Sequence, residues 1–548
     1  MKRATKQRLS LAAIMVLLLS GCGSVGKETK KQEQQVLRVG IDSELSTADV
    51  SFAMDNTAAD VMSQVGEGLF SFDEKGEAKP ALATEKVQPS NDGLSYTFTI
   101  RKDAKWSNGE PITANDFEYS WKRTVDPKTA SPQAYYFEGL KNYRAIVDGG
   151  KSKEELGVTA IDDHTLEVEL SYPMSYFQQL LAVPAFYPLN EAFVEKTGKN
   201  YGTSAESTLY NGAFTLEGWD GTNNTWSYVK NKNYWDQANV SLDKVDVQVV
   251  KEVNTGKNLF EGKELDVVKI SGEIVAQEQD NAALKIREIP GTYYIQLNTQ
   301  KDLLANKNAR RAIALSLNSE RLAKNVLNDG SKKALGFVPT GFTNQETQKD
   351  FAEELGDLNP SEPEKAKELW QMAKKELGIE KAELTILSSD TENAKKISEY
   401  VQGALADNLE NLTVNVSPVP FNNRLEKSRS GDFDIVVGGW TPVYADPIDF
   451  LNLLQSKNSN NFGKWSNKTF DQLLQEANVT YANKYEERWK TLQKADQLVA
   501  EEAPLVPLYQ LTEARLVDDS VQNLVYGPLG SGYYKSVSIR RQVKVGKK

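Results

Sequence analysis

The sequence holds one cysteine and one histidine among 548 residues. A single thiol cannot close an intrachain disulfide or a Cys-x-x-Cys zinc site, and one imidazole cannot supply the two or three that most catalytic zinc centres use. Triad chemistry would have to pass through His164. That residue ends the polar turn Ile161-Asp162-Asp163-His164 ahead of an alternating run at 165–170, so it reads as an exposed turn histidine leading into a half-buried strand. No GxSxG or HExxH is present, and the one GxxxxGK match, at 21–27, has Glu28 where Ser or Thr would hold magnesium. The carboxylates are scattered, not paired inside apolar runs, so the chain is expected to be no enzyme and to carry no metal or cofactor. Positive charge is also in deficit. With Lys+Arg 65 against Asp+Glu 76 the net charge is −11, which argues against a nucleic-acid partner, because such affinity comes from lysines and arginines displacing counterions.

Long apolar runs are scarce too. The one at residues 9–19 follows Lys2, Arg3, Lys6 and Arg8 and is too short to span a bilayer, which needs about 20 residues. It has the charged and apolar regions of an export signal, and it ends in Leu19-Ser20-Gly21-Cys22, similar to a bacterial lipobox, in which the cysteine becomes the lipid-bearing first residue. This implies a signal peptide at 1–21, a membrane anchor through Cys22 and a location on the extracellular face of the cell membrane. Loss of four positive charges takes the net charge from −11 to −15. Residues 22–35 form a Lys-, Glu- and Gln-rich tether with nothing to bury.

The body from residue 36 mixes strand and helix signals with no repeat and no Gly/Ser linker, which predicts an α/β protein of several domains joined at compact hinges. Val36–Ile41 opens it as a strand. A turn at Ser90-Asn91-Asp92-Gly93, followed by alternation through Tyr96, Phe98 and Ile100, predicts a hairpin, and Thr113 can cap a helix carrying Phe117, Tyr119 and Trp121. Aromatics are plentiful, with Trp 9, Tyr 22 and Phe 19. Loops such as Tyr135-Tyr136-Phe137, Tyr293-Tyr294 and 440–444 could wall a ligand pocket.

One long ordered block, Leu94-Ser95-Tyr96-Thr97-Phe98-Thr99-Ile100-Arg101 through Trp106-Ser107-Asn108-Gly109 to Asp116-Phe117, resembles the signature of the family 5 solute-binding proteins, the oligopeptide-binding proteins of ABC importers. Four more segments match in order: Glu67-Gly68-Leu69-Phe70, residues 292–298 with 309–314, Gly439-Trp440 through Asp446-Pro447, and residues 503–509. The resemblance implies a two-lobed periplasmic-binding-protein-like fold of the class II, cluster C type, with three domains and a hinge that closes on the ligand. By segment order, domain I takes residues 36–66, 190–290 and 512–548, domain II takes 67–189 over the ligand site, and domain III takes 291–511. It also implies an extended peptide as ligand, added to strand edges of both lobes, delivery to the transmembrane subunits of an ABC permease, and a monomer.

Carried over by motif, those edges are Met54, Asp55, Asn56 and Thr57 on one side and Gly438, Gly439, Trp440 and Thr441 on the other, with glycines that admit a second backbone. Tyr135, Tyr136, Tyr293, Phe421, Tyr444 and Tyr509 complete the expected ligand-binding set, together with three departures from the family pattern. Val443 stands where an Asp anchors the peptide ammonium, Gln296 where an acidic residue occurs in relatives, and Val437 where a basic one does. The pattern implies a pocket depleted of charge and an apolar peptide, a signalling pheromone of Gram-positive bacteria among the candidates, because an unpaired charge is costly to bury. A heme or other small-molecule importer subunit, and a surface adhesin or folding helper, are the alternatives.

Overall fold

The computed structural model describes residues 34–73, 76–344, 346–527 and 532–540. Cys22, the expected signal at 1–21 and residues 22–33 of the expected tether lie outside them. Residues from 35 onward form one compact unit.

Among the described residues the central sheet has eleven strands, ten of them along one path: β1 (Val36–Ile41), β2 (Phe214–Glu217), β3 (Thr225–Lys230), β4 (Lys244–Val249), β5 (Val267–Ile270), β6 (Leu284–Leu297), β7 (Ala382–Ser389), β8 (Leu412–Val419), β9 (Ile435–Trp440) and β10 (Leu505–Val517), in the spatial order β8-β7-β9-β6-β10-β5-β1-β4-β3-β2, with the short strand Lys332–Lys333 paired to β10 off this path. The buried alternation of β1, with Leu37 and Val39 fully inside, is what a strand facing a core on one side requires. β1 lies parallel to β4 and β5, and β7 parallel to β8 and β9. The α/β class expected from the alternation of signals is therefore observed.

The two parallel blocks are joined by β6 and β10, an antiparallel ribbon of 14 and 13 residues. Its pairing runs Glu288 to Thr512 and then resumes at Thr292 with Gln510. Three residues, Ile289, Pro290 and Gly291, thus face Leu511 alone, which makes a bulge. It falls where the expected domain boundaries 290/291 and 511/512 lie. The blocks on either side are called the first and second lobe below.

The first lobe has its own core around Leu37, Phe214 and Val245, and the second around Ile295, Ile386 and Ile435. Residues 69–186 do not have a core to themselves. Phe98, Trp121 and Phe177 share one cluster with Phe337, Phe450 and Leu492 of the second lobe, because this segment is packed down on that lobe. The strand Ser95–Thr99 pairs with Thr165–Glu169, not across the 90–93 turn, so the expected local hairpin is replaced by a long-range pairing. His164 is half-buried where it was expected to be exposed, since its turn closes the hairpin of Val158–Asp162 with Thr165–Glu169. No helix among the described residues is long and apolar enough to cross a membrane.

Candidate functional site

A cavity of about 480 Å³ lies between the lobes, and its floor includes Ile289 and Leu511 of the bulge. One wall is the end of β9. Strand β7 pairs with β9 only at Ile435 and Val436, whereas β6 continues along β9 as far as Trp440. From Val437 onward one backbone edge of β9 has no neighbouring strand among the described residues. Opposite it the chain runs extended through Asp55 (φ −89°, ψ 159°) and enters the helix Asn56–Val65. Met54, Asp55, Asn56 and Thr57 line this side, and Val437, Gly438, Gly439, Trp440, Thr441 and Val443 line the other. At one end the walls touch, Asn56 Nδ2 donating to Thr441 Oγ1 at 3.3 Å.

Further contacts hold the lobes together outside the cavity. Lys251 of the first lobe pairs with Asp390 of the second at 2.8 Å and with Glu44 at 2.7 Å. On the far side, Tyr176 of the covering segment stacks on Tyr444, with ring centres 5.2 Å apart. Arg488 on the helix Tyr485–Glu502 lies over Tyr176 and makes a two-pronged pair with Asp446 at 2.8 and 2.9 Å. This pair is almost wholly buried.

The expected loss of charge does not hold for the cavity as a whole, because elements with no part in the sequence motif supply charges. The helix Asn56–Val65 brings Asp60, whose carboxylate accepts from Gly532 N at 3.2 Å and whose carboxyl is pushed up to about 6 by burial. β10 brings Glu513 and Arg515, joined at 2.7 Å. Burial would raise the Glu513 carboxyl, but Arg515 and Arg287 outweigh it and hold it at about 2. Lys269 pairs with Asp42 at 2.8 Å, and the helix Phe421–Ser430 adds Arg424 and Arg429.

Neither carboxylate that could have replaced the missing anchor at Val443 is free to do so simply. Asp446 is taken by Arg488. Asp55 faces the cavity but caps its helix through Ala58 N at 2.8 Å and accepts from the Ser46 hydroxyl. A third carboxylate, which motif reading missed, lies directly behind the anchor position: Asp449 Oδ2 accepts from Val443 N at 3.0 Å and from Trp440 Nε1 at 2.9 Å. It is fully buried, and desolvation pushes its carboxyl up to about 7. It fixes the loop that carries Val443. Its only sequence signal is an acidic residue inside the apolar run Ile448-Asp449-Phe450-Leu451.

Of the remaining expected residues, Tyr293, Gln296 and Phe421 line the cavity. Tyr135, Tyr136, Tyr444 and Tyr509 do not, which corrects their assignment. Tyr135 and Tyr136 pack on each other with ring centres 4.2 Å apart beside Tyr444, in the core shared by the covering segment and the second lobe. Tyr509 lies behind Tyr293, stacked at 5.1 Å and 1% exposed. Aromatic clustering marked core here, as it does in most proteins.

Residues 77–462 match the bacterial extracellular solute-binding proteins, family 5, in the middle region of that family. The dipeptide-binding protein of Lactococcus lactis subsp. cremoris is 36% identical over 489 residues, covering 87% of this chain and 88% of its own. Among solved structures, OppA of Listeria monocytogenes bound to peptide is similar, with a TM-score of 0.89 and 38% identity, over 93% of this chain and 100% of that one. The pheromone receptor PrgZ, in a structure describing its mode of peptide binding, has the same TM-score with 37% identity and the same coverage. A two-lobed α/β body with an open strand edge facing its inter-lobe cavity, matched along nearly its whole length by such proteins, is a member of the bacterial extracellular solute-binding proteins, family 5, and a transport receptor, not an enzyme.

Proposed function

We propose that this protein is a receptor anchored through Cys22 to the outer face of the cell membrane, which captures short peptides between its lobes and delivers them to an ABC-type oligopeptide permease. The observation that carries the reading is the bare edge of β9 from Val437 to Trp440, set across the cavity from extended Met54 and Asp55. Unpaired backbone facing a closed cavity suits a ligand that is itself backbone, and this is β-augmentation, in which main-chain bonds supply affinity with little regard to side chains. The similar proteins that bind dipeptides, a peptide and a pheromone peptide support it. The cavity's aromatic and aliphatic residues suit apolar side chains, while its charges suit peptide termini. A signalling peptide is the narrower reading, supported by the similarity to the pheromone receptor PrgZ.

Ligand that joins both lobes should stabilise both. With a peptide at 100 times its Kd the gain is about 2.7 kcal/mol, so the melting temperature should climb with peptide concentration and stay still with heme. No shift with a tri- to hexapeptide mixture would overturn the peptide reading, and native mass spectrometry of the purified protein would identify any co-purifying ligand. For the anchor, Cys22→Ser should abolish lipid labelling and leave peptide binding intact. A variant that still takes up labelled palmitate would refute the assignment.

A further inference from the structure

A second, much smaller cavity of about 10 Å³ lies where the covering segment rests on the second lobe, and it shares no wall residue with the inter-lobe cavity. The covering segment contributes Tyr135, from the turn Ala134–Phe137. The second lobe contributes Asn452, which opens the turn Asn452–Leu454, and Asn478, in the π-helical turn Glu476–Thr480. All three residues are more than nine-tenths buried. Among the described residues, Tyr135 Oη, Asn452 Oδ1 and Asn478 Oδ1 find no hydrogen-bond partner. One such buried atom is costly, and three around one small cavity call for a shared partner.

We propose that this cavity is the site of a single ordered water molecule that latches the covering segment to the second lobe. Burial holds the Tyr135 hydroxyl well above its ordinary value, so it is a donor. Its proton goes to the water oxygen, and the two water protons go to Asn452 Oδ1 and Asn478 Oδ1. That makes three bonds, the usual number for a buried water, and the cavity has about the volume that one water needs. A metal ion suits the site less well. It could bind both asparagine oxygens, but it would leave the Tyr135 proton without an acceptor, and Glu138, the carboxylate on the wall, is paired with Arg144.

Neither body holds this site alone. Tyr135 belongs to the covering segment and both asparagines to the second lobe, so the water has its three bonds only while the two are in contact. A water bridge is nearly as favourable as a direct hydrogen bond. The joint around it is made largely of rings, Tyr135 on Tyr136 and Tyr176 on Tyr444. Rings in contact can slide, whereas hydrogen bonds weaken steeply off line, so the bridge fixes one register of the segment on the lobe.

High-resolution crystallography and the release rate of a labelled peptide test the proposal. With the covering segment seated on the second lobe, wild type should show one density peak within about 2.7 to 3.2 Å of all three atoms. The peak should weaken or vanish in Tyr135→Phe, which keeps the packed ring. No peak in wild type, or one with oxygen ligands nearer than about 2.6 Å, as a cation has, would overturn the water. In stopped flow, Tyr135→Phe and Asn478→Ala should each release peptide about five times faster than wild type, as loss of one hydrogen bond predicts. Association should change little, since neither residue lines the inter-lobe cavity. Both variants break the same bridge, so the double variant should release no more than about ten times faster. A double variant about 25 times faster would mean independent contacts and would overturn the shared water, and unchanged release from both single variants would overturn the latch. This second arm rests on the peptide reading. If wild type holds no peptide, that reading fails, and the density beside Tyr135 decides the water site by itself.

Discussion

Gly439→Ala should weaken peptide binding at least a hundredfold, about 2.7 kcal/mol, while Gly438→Ala should cost less than tenfold. The two glycines are neighbours on the same bare edge, yet they differ in what a methyl group would meet. At 439 an added Cβ would come within 2.7 and 2.8 Å of Tyr293 ring atoms, whereas at 438 its nearest neighbour is a Tyr294 ring carbon at 3.6 Å. Tyr293 is the cross-strand partner of Gly439 and is stacked on buried Tyr509. It cannot retreat into the second lobe, so it must swing into the cavity or spread β6 from β9, and either movement disturbs the edge that receives the ligand. Isothermal calorimetry with one tight-binding peptide measures both variants. Equal losses at the two positions would return the explanation to close approach of the ligand main chain, which both glycines would serve alike.

The buried pair of Arg488 and Asp446 carries the largest expected effect on stability. Arg488→Met leaves a carboxylate enclosed without its cation, a change that costs about 3 to 5 kcal/mol in buried pairs. At an unfolding entropy of about 2.1 cal/mol/K per residue, a compact unit of about 500 residues loses roughly 1 °C per kcal/mol, so calorimetry should show its transition falling by about 3 to 5 °C. Adding Asp446→Asn removes the stranded charge and should recover much of the loss, because the amide oxygen can still accept from Ile448 N as Asp446 Oδ1 does at 3.0 Å. A double variant as unstable as the sum of the two singles would show that the pair contributes through packing against Tyr176 and not through charge. The same substitution should favour opening, since Tyr176 of the covering segment loses the cation that lies over its ring.

What could be read from the sequence was whatever lies in short, ordered stretches. The α/β class follows from alternating periodicities, and the stretches 54–57 and 437–443 follow from motifs whose spacing is local. The charges of the cavity could not be read that way. Asp60 and Arg424 sit on amphipathic helices whose patterns look like those of any surface helix, and only the packing of one lobe on the other turns them toward the cavity. Tyr135, Tyr136 and Tyr444 show the opposite failure, a local concentration of aromatics that the fold uses as interior. Burial of residues 69–186 against the second lobe is likewise a long-range packing with no local signature.

The bulge between β6 and β10 gives the ribbon slack. Three residues of one strand span the distance covered by one of the other, and two of the three suit such a place: Pro290 has no amide hydrogen to leave unpaired, and Gly291 has no side chain where a Cβ would come within 2.7 Å of Leu511 Cδ1 and 3.1 Å of the Trp440 carbonyl. The ladders on both sides can therefore turn relative to each other by rotation about a few backbone bonds, with every cross-strand bond outside the bulge kept. A parting of the lobes at this point would flex the ribbon and leave its ladders paired. Ile289 and Leu511 of this bulge line the cavity, so an occupant that touches them bears directly on the element that joins the lobes.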